Sequence, residues 1–188
     1  MAMGVKLILA SAALLMLSAQ SGMTQSRYNF SAAMPGKAAY KTDYSGKRLE
    51  AFDGPQKPGT IIVRTAERKL YLVLPGKQAM VYGVGVGRDG FTWKGTHRVT
   101  RKAEWPGWTP PAEMHKRQPG LPAYMPGGPD NPLGARAMYI GSTIYRIHGT
   151  SQPWTIGQAV SSGCIRMVNE EVIDLYSRVK VGATVIVQ

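Results

Sequence analysis

The hydrophobic pattern changes near residue 60. Residues 22–58 are rich in Ser, Gly, Ala and Lys and keep no sustained period. They read as a linker or a loosely ordered arm. From Thr60 onward, apolar positions recur at strand spacing. Ile61-Ile62-Val63 makes one predicted strand, and LYLVL (70–74) sets Leu70, Leu72 and Leu74 on one face of a second. After a Pro75-Gly76 turn, AMVYGVGV (79–86) makes a third. Three strands joined by short turns predict an antiparallel meander. FTWKGTHRVT (91–100) is also β-rich. AMYI (137–140) leads into Gly141-Ser142, which suits a two-residue type II′ hairpin, and TIYRI (143–147) returns with His148 at its end.

The period becomes helical only near the C-terminus. Val172, Leu175, Tyr176 and Val179 form an apolar stripe. Asn169 is the expected N-cap, Glu170 and Glu171 fill the first turn, and Gly182 ends the segment. ATVIV (183–187) is a closing strand. The expected fold class is mostly β with one main α-helix, in a domain over residues 59–188. Residues 105–134 break the pattern. They hold eight of the 13 prolines, with Trp105, Trp108 and Tyr124. Proline at this density argues against helix and central strand. The aromatics argue against disorder, so the segment reads as an ordered flap over a functional cleft.

GVGRDG (85–90) matches G-x-G-x-x-G literally, but a β-rich run follows it and not a helix. The dinucleotide reading fails, and glycines that permit a bend or bulge at a strand end remain. At the N-terminus, Lys6 precedes the 13-residue apolar run LILASAALLMLSA (7–19) and then small residues. This is the pattern of a signal peptide over residues 1–21, or of an uncleaved anchor giving weak membrane association. Both imply a periplasmic or otherwise extracytoplasmic location. The formal charge of +12 favours an anionic wall polymer or lipid. No basic-aromatic nucleic-acid motif accompanies it, so no nucleic-acid partner is expected.

Export sharpens the meaning of the one cysteine, Cys164, in SSGCIRM (161–167). It has no partner for an intrachain disulfide, so it is buried filler or a working thiol. His148 lies 16 residues before it. An imidazole beside a thiol takes its proton and frees a strong nucleophile. Gly163 lets the chain approach a reacting carbonyl, and the amides of Gly163 and Cys164 are candidate oxyanion donors. Arg166 offers a planar fork for a carboxylate. A zinc site from His97, His115, His148 and Cys164 matches no ligand spacing, so neither a metal nor another cofactor is expected.

IHGTSQPWTIGQAVSSGCIRMVNEEVIDLY (147–176) resembles the active-site signature of the L,D-transpeptidase (YkuD-type) catalytic domain, which runs from His-Gly-Thr to Ser-x-Gly-Cys-x-Arg. The resemblance extends from about Thr60 to Gln188, through TAERKLYLVL and NPLGARAMYIG. It implies a compact β-sandwich or barrel, over which the proline-rich segment is, from its own length, aromatics and position, the expected cap. It also implies action on peptidoglycan stem peptides, with Cys164 as nucleophile, His148 as general base and acid, and the Gly149 carbonyl orienting the imidazole. Arg166, Ser161, Ser162, Gly163 and Trp154 become substrate-side candidates. Many members carry His where this chain has Ser162, which leaves Ser162 a supporting role. The implied reaction forms 3→3 crosslinks through a thioester with release of D-alanine, and implies acylation by carbapenem-type β-lactams. The same site with water as acceptor would be an L,D-carboxypeptidase, and with a protein amine it would attach that protein to the wall. A noncatalytic wall-binding module predicts a disposable thiol.

Overall fold

The computed structural model describes residues 46–188. The expected signal peptide and residues 22–45 of the expected arm lie outside the described residues. Eleven strands and two α-helices follow in chain order. The strands are β1 (Arg48–Ala51), β2 (Ile61–Arg64), β3 (Lys69–Leu74), β4 (Gln78–Gly83), β5 (Val86–Gly87), β6 (Gly95–Glu104), β7 (Arg136–Ile140), β8 (Arg146–His148), β9 (Ala159–Ser161), β10 (Ile165–Arg166) and β11 (Thr184–Val187). The helices are α1 (Ala112–Arg117), between β6 and β7, and α2 (Asn169–Arg178), between β10 and β11. Nine strands form one sheet in the order β1-β4-β3-β2-β11-β6-β7-β8-β10, curled into a half-barrel, and β5 pairs with β9 apart from it.

The meander predicted from residues 61–86 is present as the antiparallel ladders β2–β3 and β3–β4. Its apolar alternation has two destinations. Ile61, Val63, Leu70, Leu72 and Tyr82 enter the main core, while Ile62, Tyr71, Val73, Ala79 and Val81 form a second cluster, against which Phe52 packs. β1 pairs antiparallel with β4 at the sheet edge, so residues 48–51 of the expected loose arm are strand. Their side chains are mostly exposed, which is why they show no apolar period. β11 inserts between β2, parallel, and β6, antiparallel. The ten-residue β6 joins the two halves of the sheet, because its first residues pair with β11 and its last with β7. At Gly141 (φ 56) the β7–β8 turn closes with the Thr143 N–H on the Ile140 carbonyl. Regular strand resumes only at Arg146, later than the pattern predicts.

Two local expectations change. The proline-rich segment contains the helix α1, which starts directly after Pro110-Pro111 and ends before Pro119. Proline is tolerated at a helix start, and AEMHKRQ between these prolines is free of it. Asn169, the expected N-cap, is instead the first helical residue, preceded by Val168 with no side-chain cap. Its buried amide works across the fold. Oδ1 accepts from the Ala135 N–H (2.8 Å) and the Thr150 N–H (3.2 Å), and Nδ2 donates to the Thr150 carbonyl (3.0 Å). Val172, Leu175 and Val179 bury the helix stripe as predicted.

This amide ties the start of β7, the loop after His148 and the start of α2 into one unit. Asn169→Ala leaves three buried main-chain groups unpaired. At 1–3 kcal/mol for an unsatisfied group, the expected loss is about 3 kcal/mol of unfolding free energy by urea titration. Asn169→Asp, which keeps the acceptor, is expected to lose less.

Candidate active site

His148 ends β8, and Cys164 immediately precedes β10, the strand that pairs with it in a short parallel ladder. β8 pairs with β10 so that Ile165 stands opposite Ile147 and Arg166 opposite His148. Ile147 and Ile165 are both buried in the core. Strand alternation then turns Arg146, His148 and Arg166 to the other face, and Cys164 leads into β10. The Met167 N–H bonds the His148 carbonyl at 2.9 Å, and Arg166 exchanges two main-chain hydrogen bonds with Gly85 (2.8 and 2.9 Å). A side chain on Gly85 would place Cβ 2.8 Å from the Thr155 carbonyl oxygen, so this close approach requires glycine.

The loop carrying the thiol is held from inside and outside. Ser161 Oγ accepts from the Gly163 N–H (3.1 Å) and donates to the Cys164 carbonyl (2.6 Å). The Trp93 indole N–H donates to the Gly163 carbonyl at 2.7 Å. Trp93 stacks on Tyr145 with ring centres 4.6 Å apart, and the Tyr145 ring lies where a Gly163 side chain would project. Gly163 has φ 105, so glycine is required there by conformation and by space. Of the two amides expected to serve as oxyanion donors, that of Gly163 is therefore engaged by Ser161. Among the described residues no hydrogen bond takes the Cys164 N–H.

His148 is 4% exposed, and its Nδ1 lies 2.5 Å from the Gly149 carbonyl oxygen. A neutral ring that donates from Nδ1 keeps the Nε2 lone pair as its basic site. Burial, then the charge of Arg166 and that of Arg146, holds the imidazole down at about 3, against the opposing pull of the Gly149 and Leu133 carbonyls. Cys164 is half-buried. Burial raises its thiol, while Arg146 and Arg166 pull the other way. The resting pair near neutrality is thus thiol and neutral imidazole.

The remaining candidates take different places. Arg166 lies beside His148, with its Nε buried and without a partner among the described residues. Ser162 receives a 3.4 Å contact from Arg88 Nη1. Trp154 stands 45% exposed on a 3-10 turn, Pro153–Thr155, with its carbonyl held by Gln158 Nε2. The bend reading of GVGRDG agrees with a register shift between Val86 and Gly87. The proline-rich segment meets the surroundings of the site at two places, near its middle and at its C-terminal end. Arg117 of α1 and Arg88 both lie over the Phe91 ring, at 5.6 and 4.2 Å, and Gly134 is packed against Gly149 and Thr150. Of its aromatics, Trp108 is buried and paired with Met125, and Tyr124 packs over Gly107 while 59% exposed. Sequence reasoning passed over Arg146, Trp93 and Tyr145. Period-two alternation from His148 would have found Arg146, whereas Trp93 left no signal.

The family model of the L,D-transpeptidase catalytic domain (YkuD) matches residues 58–187, and the chain belongs to that family. It is 42% identical over 134 residues to the probable L,D-transpeptidase YbiS of Escherichia coli K12, a match covering 66% of this chain and 43% of that protein. It thus spans less than half the length of that curated relative. A solved Brucella melitensis structure, described as a probable carnitine operon oxidoreductase, is 44% identical with a TM-score of 0.53, covering 79% of this chain and 96% of that one. L,D-transpeptidase 3 of Mycobacterium tuberculosis, solved with a faropenem-derived adduct, is similar in fold, with a TM-score of 0.53 and 19% identity, over 69% of this chain and 59% of that one.

The depressed His148 fixes the sign of one pH response. The unfolded imidazole binds a proton near its ordinary value of about 6.5 and the folded one only near 3. Its contribution to stability is complete above about 6.5 and is lost as pH falls toward 3. The melting temperature of the wild type is expected to fall between pH 6.5 and 4.5, a window above most carboxylates. His148→Gln is expected to flatten that slope.

Proposed function

We propose that the chain is an exported L,D-transpeptidase that joins peptidoglycan stem peptides through a Cys164 thioester. The observation that supports this reading is the β8–β10 register, which pairs Arg166 with His148, the residue that ends β8, and brings in Cys164 as the residue just before β10. Cys164 Sγ attacks the carbonyl between the L-centre of a diaminopimelate-type residue and the terminal D-alanine of a tetrapeptide stem. His148 takes the thiol proton and returns it to the departing D-alanine nitrogen as the C–N bond breaks. An amine of a second stem then attacks the thioester, gives its proton to His148, and leaves a 3→3 amide while the thiol re-forms. The Gly149 carbonyl holds the ring by Nδ1, the Cys164 N–H faces the developing oxyanion, and Arg166 takes a substrate carboxylate. The charge of +12 suits an anionic wall.

The same thiol reacts with a strained β-lactam carbonyl, and the mycobacterial relative carries a faropenem-derived adduct. The oxidoreductase description of the Brucella relative has little to rest on in this chain. GVGRDG lies on β5 and a bend and leads into strand β6, without the strand-to-helix turn that cradles a dinucleotide.

Incubation with tetrapeptide muropeptides and mass spectrometry of the products tests the reading. Crosslinked dimers support it. Tripeptide alone would make the protein an L,D-carboxypeptidase, and absence of both products would end the enzymatic reading. Cys164→Ser is expected to reduce both products to background while keeping the wild-type melting temperature, because a hydroxyl is too weak an acid for the same imidazole.

The proline-rich segment is proposed to shield the thioester from water. Trp108 and Met125 are joined by two main-chain hydrogen bonds of 2.8 Å, so residues 109–124 form an excursion closed at its base. Replacing that excursion with a short turn is expected to raise the ratio of tripeptide to dimer severalfold, with β-lactam acylation retained. An unchanged ratio would make the segment a surface feature.

A further inference from the structure

We propose that Arg146 is a further catalytic residue of this site, whose positive charge and main-chain N–H hold the Cys164 sulfur once it gives up its proton. Three independent features point there. Ile165 stands opposite Ile147 in a parallel ladder, so Cys164 and Arg146, the residues just before them, are neighbours across it. The Nε atoms of Arg146 and Arg166 are both buried with no partner among the described residues, which leaves two guanidinium donors uncommitted around one thiol. The Arg146 guanidinium also has a seat. It lies 5.2 Å from the centre of the Tyr139 ring on the neighbouring β7, whose other visitor, Arg101, is 3.5 Å away. A cation seated on a ring is restrained without its donors being used.

The charged surroundings are consistent with this role. The Arg146 main-chain N–H and guanidinium both act on the sulfur as dipole and charge, and Arg166 adds its charge from β10. His148 lies on the same face of β8 as Arg146, and Arg88 reaches the loop through Ser162. The same two arginines that favour the sulfur anion disfavour the imidazolium. The proton therefore stays on the sulfur until attack. It then moves to His148 Nε2 as the S–C bond forms, and Arg146 offsets the anionic character of the sulfur during that transfer. Thioester formation discharges the sulfur and frees the guanidinium.

This inference rests on Cys164 being the working thiol but not on the identity of the acceptor. The test is the rate of Cys164 alkylation by iodoacetamide as a function of pH, in the full chain. Arg146→Gln is expected to move the midpoint up by about one pH unit, a rate about tenfold lower below the midpoint, as loss of an adjacent opposite charge does. Arg146→Lys is expected to restore most of it. Arg146→Met, which keeps an alkyl stem against Tyr139, is the second neutral variant should Arg146→Gln not fold. A midpoint unchanged in a folded neutral variant overturns the proposal, and a raised KM for the stem peptide alongside it would make Arg146 a substrate contact instead. An Arg146-dependent profile without crosslinked product would leave this inference standing and remove only the transpeptidase reading.

Discussion

The site hangs on a parallel ladder only two rungs long. β10 comprises Ile165 and Arg166, and a strand of that length has no stability of its own. It is held by what surrounds it. Ile165 and Ile147 anchor one face in the core, Gly85 closes the far edge with a pair of hydrogen bonds, and the His148 carbonyl receives the Met167 N–H. Asn169 then locks the chain just after His148 to the chain just before β7. Remove any one of these and the register between His148 and Arg166 loses its definition. A one-residue slip would send Cys164 into the core and Ile165 into the cleft.

Much of the frame was legible because it is local. The meander of β2, β3 and β4, the β7–β8 turn at Gly141 and the stripe of α2 each follow from spacing within a few residues. What the sequence hid is non-local or side-chain driven. The parallel insertion of β11 beside β2 joins residues more than 120 positions apart, and no period records it. β1 is exposed and reads as polar arm, although its main chain completes the sheet edge. Asn169 looked like a cap because its residue type and position suit one. The tertiary structure instead claims its amide for three buried main-chain groups that have no other partner at hand.

The candidate site divides in the same way. Cys164, His148 and Arg166 stand out by type and spacing, and the Gly149 carbonyl came with the family resemblance. The outer layer did not stand out. Trp93 is one aromatic in a β-rich run, yet its indole fixes the Gly163 carbonyl and its ring braces Tyr145 against the left-handed glycine. Ser161, expected on the substrate side, also ties the thiol loop internally, using both its donor and its acceptor. Consequently one of the two expected oxyanion amides is already committed to shaping the loop.

The distribution of charge gives the last step. A familiar nucleophilic pair rests as thiolate and imidazolium, each supporting the other. Here burial disfavours both ions, and two flanking cations favour only the first. Such a site stores its thiol in the protonated form, which is less prone to oxidation and to stray electrophiles than a standing thiolate. Reactivity then depends on a carbonyl arriving close enough for proton loss and attack to occur together. The His148 ring lies beside the carbonyls of Gly149 and Leu133, which favour its charged form against burial and the two arginines, and drawing the arginines' charge elsewhere would strengthen that pull. In the proposed reaction a substrate carboxylate on Arg166 would do part of this, since its negative charge cancels one of the two positive charges beside His148. Substrate binding would thereby relieve part of what holds the imidazole down, with burial still the larger cause, and the thiol would be a better nucleophile in the complex than in the free protein.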